Sequence, residues 1–141
     1  MNNSSTKKNH KRLLIVLSLA IITAGGIFMF SMLGKSQEER RNREYEVSLV
    51  NALKNSYEGI EEIKITEPYY SEKPGSWSCD VEIKFIDEKN LKYGINHHLS
   101  YKTNYGGRQE TNEDWQYLET HKGKTLKSVK ITYSDYEQGE Q

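Results

Sequence analysis

The chain reads as an α+β protein. The expected form is an N-terminal transmembrane helix continuing into a stalk and amphipathic helix, packed on a small antiparallel sheet of about four strands. Three observations predict it. Residues 13–34, LLIVLSLAIITAGGIFMFSMLG, carry no charge. Apolar residues then recur at helical spacing through Tyr45, Leu49, Ala52 and Leu53. Beyond Gly59 the apolar period changes to two, which is the alternation of strands.

The uncharged segment is long enough to cross a bilayer. At ~1.5 Å per residue a helix over it spans ~33 Å, against a hydrocarbon core of ~30 Å. Lys11 and Arg12 abut one end and Lys35 the other. A cleaved signal peptide is the rival reading, with small residues at Thr23-Ala24-Gly25-Gly26. Cleavage there would leave IFMFSMLG as an apolar new terminus, which favours an uncleaved signal anchor. Lys7, Lys8, Lys11 and Arg12 on one flank balance Lys35, Arg40, Arg41 and Arg43 on the other. The positive-inside rule therefore ties. The basic stretch directly before the apolar run has the form of a signal n-region, which puts the N-terminus inside and the C-terminal domain outside.

The chain of 141 residues is one domain's worth. The expected divisions are a basic cytoplasmic tail (1–12), the transmembrane signal anchor (13–34), the stalk and amphipathic helix (35–58), the sheet domain (59–134) and a polar, frayed tail (135–141). Lys and Arg total 20, as do Asp and Glu. Four of the bases precede the apolar run and no acid does, so the remainder carries 16 bases against 20 acids. An acidic domain lacks the basic patch that phosphate backbones demand, and nucleic acid is not an expected partner. Cys79 is the single cysteine, which excludes an intramolecular disulfide.

Ser36 with Glu39 has capping-box form, and Gly59 suits a C-cap, so a helix is expected from about Gln37 to Tyr57. Ile63 and Ile65 mark a short strand ending near Pro68. Lys73-Pro74-Gly75-Ser76 suits a type II turn. Trp77, Cys79, Val81, Ile83 and Phe85 then define one face of the clearest strand. A third strand alternates Leu91, Tyr93, Ile95, His97, Leu99 and Tyr101 against polar residues. A three-residue loop Glu88-Lys89-Asn90, with Asn90 left-handed, would set Val81 opposite His97 and Asp80 opposite His98. A loop around Gly106-Gly107 follows, then a short helix through Trp115, Tyr117 and Leu118. Val129, Ile131 and Tyr133 form a last strand.

Chemistry is sparse. His97 and His98 are strand neighbours and point to opposite faces, His10 lies across the apolar segment, and His121 is alone. No spacing matches a zinc site, so no metal is expected. His97 reads as a satisfied core histidine. Cys79 reads as a buried, inert thiol. No hydrolase elbow, zinc-protease helix or phosphate loop is present, and neither enzymatic activity nor a cofactor is expected. Tyrosines at strand ends and loops offer contact area at low entropic cost. The candidate interaction surface is therefore Tyr69, Tyr70, His98 and Tyr105, with His98 and Asp80 as a pH-responsive pair in the register above.

The segment EEIKITEPYYSEKPGSWSCDVEIKFIDEKNLKYGI, Glu61 to Ile95, resembles small membrane-anchored proteins of Gram-positive bacteria whose function is unknown. The shared pattern is a short I-x-I strand, a turn, a strand ending in an acidic turn, and a tyrosine-bearing strand. The resemblance implies an extracytoplasmic domain and no particular activity. Type IV pilin-like subunits also join an apolar N-terminal helix to an antiparallel sheet. Here no Gly precedes the apolar run and no Glu lies within it, which departs from the pilin processing pattern. The expected function is a membrane-tethered extracytoplasmic interaction module for a protein or envelope component. The bilayer is its partner through 13–34, and a structural pilin-like subunit is the alternative.

Overall fold

The computed structural model describes residues 18–23, 26–31 and 34–141. It is an α+β fold with two helices and a mixed six-stranded sheet, beside a separate two-stranded hairpin. The elements are β1 (Ser18–Thr23), β2 (Gly26–Ser31), α1 (Gln37–Ser56), β3 (Ile60–Ser71), β4 (Ser76–Phe85), β5 (Asn90–His97), β6 (Arg108–Gln109), α2 (Asn112–Thr120), β7 (Lys130–Thr132) and β8 (Gln138–Glu140). The large sheet runs in the order β6-β5-β4-β3-β7-β8, with β3 and β7 parallel and the other pairs antiparallel.

Two features of the expected architecture differ. Within 13–34, β1 and β2 pair antiparallel from Ser18↔Ser31 to Thr23↔Gly26, and the remaining positions up to residue 33 lie outside the described residues. No helix among the described residues is long and apolar enough to cross a membrane. The physical reason for the difference is that a continuous apolar run has no period and does not by itself choose between helix and strand. The sheet is also mixed and six-stranded rather than antiparallel with about four strands. Strands β6 and β8 hold two and three residues, too few to show alternation.

Helix α1 begins as its sequence predicts. Ser36 adopts an extended conformation and its hydroxyl accepts the N–H of Glu39 at 3.2 Å, satisfying one orphan donor of the first turn. The helix lies on one face of the sheet and buries Val47, Leu49, Val50 and Leu53 there. Against them stand Ile63, Ile65, Trp77, Val81, Ile83, Phe85, Leu91 and Ile95, the inward residues of alternating strands. The charged first half of α1 also packs. Asn42 accepts the indole N–H of Trp77 at 3.1 Å, and the Arg41 guanidinium lies 4.1 Å above the ring of Tyr70. Arg43 bonds Asp135 at 2.8 Å and Glu137 at 3.0 Å.

The C-terminal residues are not frayed. Ser134–Asp135–Tyr136 turns the chain so that β8 pairs with β7, and Gln141 is fully buried. Its side chain accepts the Tyr133 hydroxyl at 2.7 Å and donates to the Val47 carbonyl at 3.2 Å, and its main-chain oxygen accepts Lys54 Nζ at 2.7 Å.

Candidate functional site

The expected register of β4 and β5 is displaced by four residues. Val81 stands opposite Tyr93, Asp80 opposite Gly94, and Trp77 opposite His97. The hairpin closes over Ile86-Asp87-Glu88, and Glu88 rather than Asn90 takes the left-handed conformation, with φ 72°. Three interactions hold that turn: Asp87 accepts the Lys89 N–H at 3.1 Å, Tyr117 donates to Asp87 at 2.9 Å, and the Ile86 N–H reaches the Gly59 carbonyl at 2.9 Å. The register keeps both apolar faces together and sets Glu82 opposite Lys92, a favourable cross-strand pair. It also separates His98 from Asp80. His98 Nδ1 instead lies 2.7 Å from the Ser100 hydroxyl, so the proposed His98–Asp80 pair does not form.

Strand β5 ends at His97, and the chain turns back along its own outer edge. Asn104 organises this return. Its side chain is buried, and its amide donates to the Asn96 carbonyl at 2.9 Å and to His97 Nδ1 at 3.1 Å. Its amide oxygen accepts the Gly106 N–H at 3.0 Å, so the whole side chain is satisfied. Because His97 Nδ1 accepts, Nε2 carries the proton and donates to Ser48 at 2.9 Å. Burial pulls the His97 pKa down to about 4, so the ring is neutral. It is the satisfied core histidine that the sequence suggests.

Gly107 completes the loop. With φ 118°, a Cβ here would lie 2.5 Å from the ring of Tyr93, so the backbone runs close against that ring and only glycine fits. The result is a cavity of about 510 Å³ between the β5 edge and the returning chain. Tyr101 and Tyr105 line it, with Asn96, Thr103 and Arg108 as polar groups. Both tyrosines are about half exposed, at 52% and 49%. Each is backed by another ring: Tyr101 stands edge-on to His97 at 5.7 Å, and Tyr105 edge-on to Tyr57 at 5.8 Å. Lys122 Nζ lies 5.1 Å from the Tyr105 centroid. Fixed aromatic faces, a guanidinium and neutral donors can hold a polar ligand or peptide segment with planar and hydrogen-bonding groups.

Of the sequence-derived candidates, only Tyr105 lines this cavity. Tyr70 is half-buried, tilted against Tyr45 at 6.1 Å beneath Arg41. Tyr69 is 66% exposed, far along β3. His98 is exposed at the start of the return loop and 5.7 Å from Tyr101. The structure adds Tyr101 and Arg108. Tyr101 reads from sequence as an inward strand residue, but the strand stops before it. Cys79 is buried and free, and burial pushes its thiol pKa far up. Among the described residues no group of His, Cys, Asp or Glu could hold a metal ion. Comparison with protein-family models, with curated proteins and with solved structures finds no match.

Proposed function

We propose that the chain is a membrane-tethered, extracytoplasmic interaction module. Residues 13–34 anchor it, the N-terminal basic segment stays inside, and the α+β domain presents its β5-edge cleft to a protein or envelope component. The observation that carries the binding part is the cleft: two half-exposed tyrosines and Arg108 on a loop pinned by the buried Asn104 network. Buried polar networks that are fully satisfied rigidify what they hold, and a preformed site loses less entropy on binding. The absence of charge from residues 13–34 supports the anchor. In lipid that segment is expected as a helix, because a lone two-stranded hairpin leaves its outer backbone groups without partners in hydrocarbon.

A photo-crosslinking residue at Tyr105, in the full chain in intact cells, tests the cleft. Partner adducts are expected from Tyr105 and Tyr101 and not from Lys130, which lies on the sheet's other half. Equal adducts at all three positions, or none, would defeat the reading. Protease shaving with a tag after Gln141 tests the orientation. A tag that survives until detergent is added would place the domain inside.

A further inference from the structure

We infer that the end of the sheet where α1 begins rests on the lipid headgroup layer, with Tyr136 as its interfacial anchor. This deepens, and depends on, the reading of residues 13–34 as a membrane anchor. Its own evidence is the short, locked junction between the apolar run and the domain.

The uncharged run ends at Gly34 and α1 starts at Gln37, so only Lys35 and Ser36 intervene. Two residues reach about 7 Å at full extension. Neither is free to act as a linker. The Lys35 ammonium is bonded to the Asp135 carboxylate and lies 2.7 Å from Glu137. Ser36 is committed to capping α1. The two acids nearest Lys35 belong to the turn between β7 and β8, with Glu39 of α1 farther off at 3.9 Å. Wherever the apolar run leaves the bilayer, that turn must be close by.

Tyr136 stands at the tip of this turn. It is 83% exposed, more than any other described large hydrophobic residue. Tyrosine, with an apolar ring and a polar tip, is enriched at headgroup level. The flanking carboxylates of Asp135 and Glu137 are engaged by Lys35 and Arg43, which lowers the cost of bringing them to an anionic or zwitterionic surface. Tyr69, 66% exposed, lies near the same end of β3.

The opposite end of the sheet provides a matched comparison. Its turn, Ile86-Asp87-Glu88, has the same backbone hydrogen bonds, but the left-handed residue at its tip is the charged Glu88 rather than a tyrosine. Strain is therefore common to both turns. That turn also exposes an apolar side chain, Ile86 at 71%, so the amphipathic ring and above all the nearness to the apolar run are what distinguish Tyr136.

The test uses the full chain in lipid nanodiscs carrying a paramagnetic gadolinium headgroup lipid, read by amide NMR. Loss of the Asp135, Tyr136 and Glu137 amide signals is expected, with those of Asp87, Glu88 and Lys89 retained. Tyr136→Trp should keep that loss, and Tyr136→Ser should restore the signals in part. A nanodisc-integrated chain that retains the Asp135–Glu137 signals would overturn the docking and leave the anchor standing. Identical signal loss for the Ser and Trp variants would remove Tyr136 from the role assigned to it. A chain that does not enter nanodiscs at all, and is released from membranes by alkaline carbonate, would overturn the anchor and the docking together.

Discussion

Two buried ionisable side chains set opposing pH dependences. Glu46 is 1% exposed and accepts the Ser134 N–H at 2.6 Å. Burial raises its pKa from 4.5 to about 7, only partly offset by that bond and by Arg43. A raised carboxyl binds its proton more tightly in the folded state. Its stabilising effect is complete below pH 4.5 and is lost as pH rises through 7. His97 runs the other way. Its folded pKa lies below the ordinary 6.5, so its contribution is present above 6.5 and is lost as pH falls towards 4. Between about pH 4.5 and 6.5 the two slopes oppose each other. Replacing Glu46 with Gln removes one of them. The stability of Glu46→Gln relative to the parent should therefore increase between pH 5 and pH 8, by about 2 kcal/mol. Urea unfolding at the two pH values measures it, and an unchanged difference would refute the assignment. Glu88 holds φ 72° without being glycine. Glu88→Gly relieves a left-handed cost of about 1–2 kcal/mol, less the added freedom of the unfolded chain. A net gain of about 0.5–1 kcal/mol in thermal or urea unfolding is expected.

Two hairpin turns of this fold use one chemistry at the element level. Phe85-Ile86-Asp87-Glu88-Lys89 and Tyr133-Ser134-Asp135-Tyr136-Glu137 share the order aromatic, any, Asp, left-handed residue, charged residue. In each, the central Asp accepts an N–H two residues on at 3.1 Å, and the same two main-chain bonds close the loop. Each Asp then takes a partner from elsewhere: Tyr117 for Asp87, Lys35 and Arg43 for Asp135. These partners explain why the β4–β5 register was not legible. The sequence offers Asn90 as the natural left-handed residue, and nothing local says that Tyr117 and the Gly59 carbonyl hold the turn two residues earlier. The legible elements were those with their own period. Helix α1, its Ser36 cap and the inward set from Trp77 to Phe85 follow from spacing alone. The two- and three-residue strands β6 and β8 follow only from tertiary pairing, and so does the end of β5 that releases Tyr101 into the cleft. Gln141 fills a buried position where Tyr133, Val47 and Lys54 all depend on it. Gln141→Ala removes the side-chain hydrogen bonds to the Tyr133 hydroxyl and the Val47 carbonyl, which should cost about 1–3 kcal/mol. Equilibrium urea unfolding reads it, and a loss under ~0.5 kcal/mol would show the Gln141 side chain to be dispensable.

At the level of the whole molecule, the described core and the proposed anchor of residues 13–34 occupy different stretches of the chain. The described core runs from Val47 to Tyr133 and consists of α1 against the six-stranded sheet, with Leu118 of α2. Its polar seams also close within residues 35–141: Arg43 with Asp135 and Glu137, His97 with Ser48 and Asn104, Lys54 with Gln141. Lys35 joins that network from its first position. Stability and placement should therefore separate. A chain beginning at Lys35 retains the core, the caps and every ion pair named above. Its unfolding free energy should match that of the full chain in mild detergent to within about 1 kcal/mol, since surface changes remote from the core seldom exceed ~0.5 kcal/mol. If residues 13–34 anchor the chain as proposed, its location should change from the membrane fraction to the soluble one, because 22 uncharged residues make an aqueous environment costly. The two readouts decide different questions. A truncated chain that stays with the membrane would mean that the domain surface, Tyr136 and Tyr69 foremost, binds lipid strongly enough without the anchor. A truncated chain that unfolds would mean that residues 1–34 take part in the core, and that the division at Lys35 cuts through a structural unit instead of beside one.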